Sequence, residues 1–255
     1  MLGLKNLVEA GSITSEMAED LGNLVIGGAN LVIVGNSGSG KTSLLNTLSN
    51  LIPRDERVII LEEESELEFS SSFAPLYFTL KKNIQPDSGF PKPDNMGSLI
   101  VHSLRMRPNR IIVGEVRDVA AYDTLQAMNT GHNGMTTIHA SGVNQGIDRL
   151  VNLILERTEA KEGAVLTLVA EAVDIMVVVE RDPETGFRRV SSITEISPRK
   201  DAADGESNLA VSTLWEFNGE TSTQLNSLSK GLRDRLQLDK KKRYTLEELY
   251  KAENE

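Results

Sequence analysis

Cysteine is absent from these 255 residues, which excludes a disulfide framework, a thiolate metal site and a cysteine nucleophile. Histidine is scarce as well: only His102, His132 and His139 occur, too few for a His-rich metal centre. Positive charge is in deficit. The 27 Lys and Arg set against 37 Asp and Glu leave a formal net charge of −10, which argues against a general nucleic-acid coat and leaves room only for a local basic patch. Specific nucleic-acid binding is not expected. Long apolar runs are missing too. The most apolar stretch, residues 164–179, is broken by Glu171 and Asp174 and is too short to span a bilayer. Met1 to Lys5 lack the charged-then-apolar layout of a secretory signal. The expected location is therefore the cytoplasm, or a membrane surface reached only through a partner. A hydrophobic content of 39% and a charged content of 25% are ordinary for a globular protein. The length suits one large or two small domains.

Against this plain background one segment stands out. Gly35-Asn36-Ser37-Gly38-Ser39-Gly40-Lys41-Thr42 matches the phosphate-loop pattern G-x-x-x-x-G-K-[ST] at every fixed position. Leu31 to Val34 before it reads as a buried strand, and Ser43 to Leu48 after it as the first turns of an amphipathic helix. Glycines let the backbone wrap around phosphates without Cβ clashes, and amides at the helix start aim donors at an anion. Lys41 reaches the outer phosphates as a cation, and the Thr42 hydroxyl is a ligand for Mg²⁺. The bare pattern arises by chance in roughly one chain of this length per hundred, and the flanking strand and helix lower that further.

Strands and helices alternate along the chain. A helix is expected over Leu7 to Leu24 with Thr14 as a cap, then a turn at Gly27-Gly28. Strands are expected at residues 57–61, 76–80, 110–113 and 135–138. A Pro/Gly-rich loop holds Pro86, Gly89, Pro91 and Pro93. Asp94 is read as the cap of a helix to about Met106, which Pro108 ends. Asp118 caps a helix ending at Gly131, Asn144 or Asp148 starts one through Leu155, and residues 160–172 are helical. Residues 175–180 and 187–195 pair as a hairpin around Asp182-Pro183-Glu184-Thr185-Gly186. Residues 199–208 read as a polar loop and 224–255 as a charged helical tail, with Lys240-Lys241-Lys242-Arg243 on a solvated helix, or against a partner or anionic lipid. Repeated βα units imply an α/β fold with a mostly parallel sheet and a ligand at the carboxyl ends of its strands.

Three clusters follow the loop in an order that makes chemical sense. Glu62-Glu63-Glu64-Ser65-Glu66 directly follows a strand, where carboxylates facing a bound nucleotide can orient a water for in-line attack; the plain alternative is a solvated acidic turn. Residues 110–113 end on Gly114-Glu115, a layout that presents a carboxylate to Mg²⁺ or its water shell, or else an ordinary surface Glu. His139 ends a strand after the Gly-rich turn Gly131-His132-Asn133-Gly134, where it can bond a phosphate oxygen.

Together these segments, with Ser103 to Asp118 and Leu125 to Gly134, resemble the type II/type IV secretion ATPase superfamily, and within it the CpaF-type ATPase of tight-adherence (Flp) pilus assembly. The resemblance covers roughly residues 5–200. It implies a RecA-like P-loop NTPase core at 31–198, after a helical lead-in or linker at 1–30, with a C-terminal hairpin and an extension and helical tail at 199–255. It implies ATP and Mg²⁺ as ligands, with Gly35, Asn36, Ser37, Gly38, Ser39, Gly40, Lys41, Thr42 and Ser43 around the phosphates and Thr42 and Glu115 on the metal. Glu66 would position water, with Glu63 where the family has Asp; Glu115 would support the metal, His139 would sense the γ-phosphate, and His132 would brace the box. Arg105, Arg107 and Arg117 sit where the family has arginines near a subunit interface, one of them facing a neighbour's nucleotide. The implied machine is a homohexamer on the cytoplasmic face of the inner membrane, driving a membrane platform protein in pilus assembly or secretion. The alternative is a nucleotide-binding assembly module with little hydrolysis of its own. Two departures bear on this. The family's separate N-terminal domain is not matched, and Glu63 and Glu64 add charge that would raise the Mg²⁺ requirement or slow turnover.

Overall fold

The computed structural model describes residues 3–69, 74–80, 95–118, 120–199 and 209–254. Two short helices, α1 (Leu4–Glu9) and α2 (Ser15–Gly27), lead into strand β1 (Leu31–Val34), followed by α3 (Lys41–Ser49), β2 (Val58–Glu62), β3 (Leu76–Thr79), α4 (Met96–Leu104), β4 (Arg110–Val113), α5 (Ala120–Asn129), β5 (Asn133–Ile138), α6 (Val143–Leu155) and α7 (Glu162–Ala172). The chain then forms β6 (Ile175–Arg181), β7 (Arg188–Pro198), β8 (Leu209–Phe217), β9 (Ser222–Gln224), α8 (Lys230–Leu236) and α9 (Leu246–Asn254). Among the described residues the nine strands belong to one sheet in the order β3-β2-β4-β5-β1-β6-β7-β8-β9. The first six in that order run parallel, and β7, β8 and β9 add on antiparallel.

The period of two along the strands sorts the core into layers. Leu31, Ile33, Ile60, Ile112, Ile175 and Val177 face α2, α3, α8 and α9, whereas Val32, Val34, Ile59, Ile111, Val113 and Val178 face α4, α5, α6 and α7. Strands buried on both faces explain the unbroken apolar runs Leu31–Val34 and Val58–Leu61. The α/β architecture with a mostly parallel sheet flanked by helices is therefore the one expected.

Several local features differ from the sequence reading. The lead-in is two helices because Gly11 turns left-handed at φ 74°; Thr14 does cap the second one, accepting from the Met17 N–H. The α4 cap is Asn95, which accepts from the Ser98 N–H; Asp94 and the Pro86–Pro93 loop lie outside the described residues, as does nearly all of the polar loop at 199–208. The C-terminal extension is not simply helical. Residues 209–217 form β8, which pairs antiparallel with β7 and carries the sheet past the hairpin. Lys240 to Arg243 lie between α8 and α9 rather than on a helix. They are tied to the body: Lys241 Nζ donates to the Gly27 carbonyl at 3.2 Å, Arg243 pairs with Asp20 at 3.0 Å, and Lys242 with Glu248 at 2.7 Å.

Helix α9 docks on α2 through Leu249, which is fully buried above Gly22. A Cβ at Gly22 would sit 2.6 Å from Leu249 Cδ1, so the glycine makes room for the leucine. Leu249→Ala is expected to lower unfolding free energy by about 2–4 kcal/mol in a denaturant titration, the usual cost of truncating a fully buried leucine. An unchanged midpoint would show that α9 adds nothing to the folded body.

Candidate active site

The site grows from the carboxyl ends of four neighbouring strands, ordered β2-β4-β5-β1. At about 4.8 Å per strand this row spans roughly 14 Å, so one small ligand can be touched from all four. After β1 the chain turns through Gly35 to Gly40 into α3. Gly38 (φ 71°) and Gly40 (φ 102°) adopt the left-handed conformation that a side chain disfavours. At Gly35 a Cβ would stand 2.4 Å from the Val179 carbonyl oxygen. The N-cap Gly40 supplies no side-chain acceptor to the first-turn amides, which point into the loop as donors. The Ser39 hydroxyl is buried without a partner, the mark of a group awaiting a ligand or water. A polyphosphate suits this donor set.

Lys41, only 6% exposed, donates from Nζ to the Asn36 carbonyl at 3.0 Å and lies 3.2 Å from His139 Nδ1. His139 Nε2 is 3.2 Å from Glu115 Oε1, and Glu115 Oε2 is 2.5 Å from Arg117 Nη2. The four side chains form one line. An ammonium can only donate, so His139 Nδ1 accepts and Nε2 carries the proton that Glu115 receives. Electrostatics agree with that tautomer. Burial, the Lys41 charge and the more distant arginines Arg117 and Arg149 push the His139 pKa down against the pull of Glu115, which favours neutral imidazole. Burial also lowers Lys41, with Glu115 opposing and Arg117 adding to the shift. Burial alone would raise Glu115, but the Arg117 hydrogen bond and the positive charges of His139 (when protonated), Arg117 and Lys41 hold it below the usual carboxylate range.

Backbone bonds hold the row of strand ends together. Thr137 Oγ1 donates to the Gly114 carbonyl at 2.9 Å, Val116 N–H to Thr137, and Gly114 N–H to Leu61. On the β2 side, Thr42, Glu62, Glu63, Glu64, Glu66, Gly114, Glu115 and Arg117 surround a cavity of about 250 Å³. All its carboxylates and the Thr42 hydroxyl are hard oxygen donors. Among the described residues no three Asp, Glu, His or Cys come close enough to cage a metal by themselves. That donor set fits Mg²⁺, which commonly takes one or two protein oxygens and completes its shell with water and substrate phosphates.

A larger cavity, about 720 Å³, opens on the other side of the loop. Its walls are Gly38 to Leu44, Asn6 and Leu7 of α1, Ala10, Ser12 and Ile13 after it, and Phe187 to Val190 at the start of β7. Arg188 Nε donates to the Gly38 carbonyl at 2.8 Å and so ties the hairpin to the phosphate loop.

The structure thus brings together Lys41, Thr42, Glu63, Glu66, Glu115, Arg117 and His139. It does not bring His132 there. That residue precedes β5 at the opposite end of the sheet, beside Thr130 Oγ1 at 3.5 Å, and the strand's rise of about 3.3 Å per residue places it roughly 20 Å from His139. Arg105 and Arg107 likewise precede β4, exposed at the amino end. Two residues were missed. Glu62 is 4% exposed in the smaller cavity's wall, its pKa raised first by burial; like Glu115, it ends an apolar strand, the available signal. Arg188 carried no signal in the sequence.

A Gly-rich cradle between a parallel strand and a helix, faced by acids at the ends of neighbouring strands, defines a P-loop α/β protein. The chain belongs to the type II/IV secretion system protein family, whose model matches residues 3–181. It is 32% identical over 200 residues to a probable conjugal transfer protein TrbB of Sinorhizobium fredii, covering 77% of this chain and 57% of that protein. It is 32% identical over 166 residues to the type IV secretion system protein PtlH of Bordetella pertussis, covering 64% and 48%. The chain thus spans about half the length of these relatives. Among solved structures it resembles the VirB11 ATPase of the Brucella suis type IV secretion system in complex with sulphate, with TM-score 0.61 and 28% identity over 74% of this chain and 55% of that one. The pilus retraction motor PilT with bound ADP shares the fold, with TM-score 0.53 and 19% identity over 91% and 55% of the two chains. The fold is RecA-like.

Proposed function

We propose that the chain is the nucleotide-hydrolysing part of an ATPase that energises type II/IV secretion or pilus assembly. The observation that carries this reading is the line Lys41–His139–Glu115–Arg117 facing the acidic loop across Thr42. A mere anion-binding loop has no use for a neutral histidine bridging its lysine to a carboxylate.

In this reading ATP is the substrate. The amides of Gly38 to Ser43 and the Lys41 ammonium hold its phosphates, and the nucleoside occupies the larger cavity beside α1 and Phe187. Mg²⁺ bound near Thr42 and Glu115 would neutralise phosphate charge. Glu66 accepts a proton from the attacking water, whose oxygen bonds the γ-phosphorus as the β–γ bridging bond breaks and ADP leaves. When Lys41 turns to the phosphates, His139 loses its donor at Nδ1, so the occupancy of the cradle is felt at Glu115 and Arg117. The relatives are named for conjugal transfer and type IV secretion, so the assignment rests with the superfamily rather than its tight-adherence branch. Residues 31–198 carry the chemistry, with 1–30 as a lead-in and 199–255 as a C-terminal extension. The working form is a homohexameric ring on the cytoplasmic face of the inner membrane, with an arginine from one subunit facing the neighbour's nucleotide and a membrane platform protein receiving the motion.

Phosphate release from ATP, measured with and without Mg²⁺ and compared with Glu66→Gln, tests the reading. The expected result is Mg²⁺-dependent release that drops about 10²-fold in the variant, the usual weight of a residue that takes a proton in the transition state. ATP binding with no release under any condition would instead favour an assembly module whose partner completes the site.

A further inference from the structure

We propose that Glu62 is a positioning residue: it holds the acidic loop so that Glu66 stands over the phosphate cradle. The proposal rests on the hydrolytic reading above and names what fixes the geometry of its water-orienting carboxylate.

Glu62 closes β2, and its side chain turns back under the loop that follows. Its Oε1 accepts two backbone hydrogen bonds, from the N–H groups of Glu66 and Leu67, each at 3.1 Å. One buried oxygen therefore pins the loop at the residue whose side chain matters. The far side is pinned as well. Leu67 is buried in the core, Glu68 N–H donates to Asn46 Oδ1 of α3 at 2.8 Å, and Asn50 Nδ2 donates to the Glu68 carbonyl. Between these anchors Glu64 and Glu66 remain exposed, and Glu63 half-exposed, toward Thr42 and Glu115. The loop is thus tied to α3, the helix that begins with Lys41 and Thr42, and to the strand beside β4.

Space for this arrangement comes from the neighbouring strand end. A Cβ at Gly114 would lie 3.2 Å from Glu62 Cγ, tighter than most side chains tolerate, so the glycine before Glu115 makes room for the buried carboxylate. The second oxygen, Oε2, is buried and has no partner. Both loop bonds end on Oε1 alone, so holding the loop needs a carbonyl-type acceptor at that point and not a negative charge. A glutamine can supply the acceptor; an alanine cannot. A carboxylate that itself exchanged a proton with substrate would not survive the change to an amide. That contrast separates positioning from chemistry.

The test compares wild type, Glu62→Gln and Glu62→Ala by residue-resolved hydrogen exchange at the Glu66 and Leu67 amides, and by steady-state phosphate release against a Lys41→Ala blank. Glu62→Gln is expected to keep both amides protected and to stay within about threefold of wild-type kcat, whereas Glu62→Ala loses at least about tenfold protection there and about 30–100-fold in kcat with KM for ATP little changed, the scale of a misplaced catalytic group. A melting curve for each variant confirms folding. Retained amide protection in Glu62→Ala overturns the proposal. So does a Glu62→Gln protein that keeps its protection yet turns over as slowly as Glu62→Ala, because Glu62 would then be reacting rather than holding. Absence of phosphate release above the blank in wild type would defeat the hydrolytic reading instead, and the exchange comparison would still decide whether Glu62 holds the loop.

Discussion

Lys41→Ala is expected to lower kcat/KM for ATP by about 10³-fold, equivalent to about 4 kcal/mol of lost transition-state stabilisation. Lys41 is the cation buried at the cradle itself, at the first turn of α3. Arg188 cannot replace it readily, because its Nε is committed to the Gly38 carbonyl and its side chain is exposed on the opposite wall. Arg117 is held by Glu115 on the far side of His139. A phosphate in the cradle of the variant would therefore keep only neutral donors, the amides and the Ser39 hydroxyl. The substitution also removes the donor at His139 Nδ1 and, with it, a charge that holds the histidine pKa down. The sign follows directly: losing a nearby positive charge favours protonation, so the His139 pKa should rise toward the ordinary imidazole range. Phosphate release reads the first effect and an NMR titration of His139 the second. A variant with wild-type turnover would remove the phosphate cradle from the argument, and an unmoved His139 titration would show that the Lys41–His139 contact carries no weight in solution.

How much of this was legible beforehand depended on whether a signal was local. The phosphate loop was, because glycine spacing, the preceding apolar strand and the Lys-Thr pair all lie within a dozen or so positions and serve one backbone geometry. The central strands were also legible, since burial on both faces leaves unbroken apolar runs. Thr14 was read correctly as a cap from its side-chain chemistry, while the separation of α1 from α2 depended on the single left-handed Gly11. Strand β8 was missed although Leu209-Ala210-Val211-Ser212-Thr213-Leu214 is strand-like. Residues 209–223 were given no element in the sequence reading, because what makes 209–217 a strand is antiparallel pairing with β7, which local pattern does not report. Convergence of the site needs the crossover order β2-β4-β5-β1, a non-local fact. Glu115 and His139 were noticed at the ends of strand-like segments without that order, and Glu66 was named through resemblance to the family. Glu62 illustrates the opposite failure: its acidic neighbours made it look like part of a solvated run, whereas the fold buries it. His132 shares a motif with His139 yet sits at the other end of one strand, because proximity in sequence along a β-strand is distance in space.

Glu115→Gln carries the other large expectation: kcat falls about 10²–10³-fold while ATP affinity moves by less than about threefold, the pattern of a charge that acts mainly in the transition state. The amide preserves the shape of the side chain and can still accept the His139 Nε2–H, so the strand end and the tautomer are retained. What disappears is the negative charge between His139 and Arg117. That charge now raises both Lys41 and His139, so its loss lowers both of them further. His139 therefore stays neutral to lower pH than in wild type. If protonation of His139 sets the acid limb of the rate profile, the limb should move to lower pH in Glu115→Gln even as the plateau drops. In wild type Glu115 itself does not set a limb near neutrality, because Arg117, His139 and Lys41 hold its pKa down. Arg117, more than half exposed, loses its fixed partner and becomes free to move. The two readouts are independent. A plateau that drops with an unmoved acid limb would place the limb on another group, and a plateau that does not drop would remove Glu115 from the chemistry and leave the Lys41–His139–Glu115–Arg117 line as a structural brace.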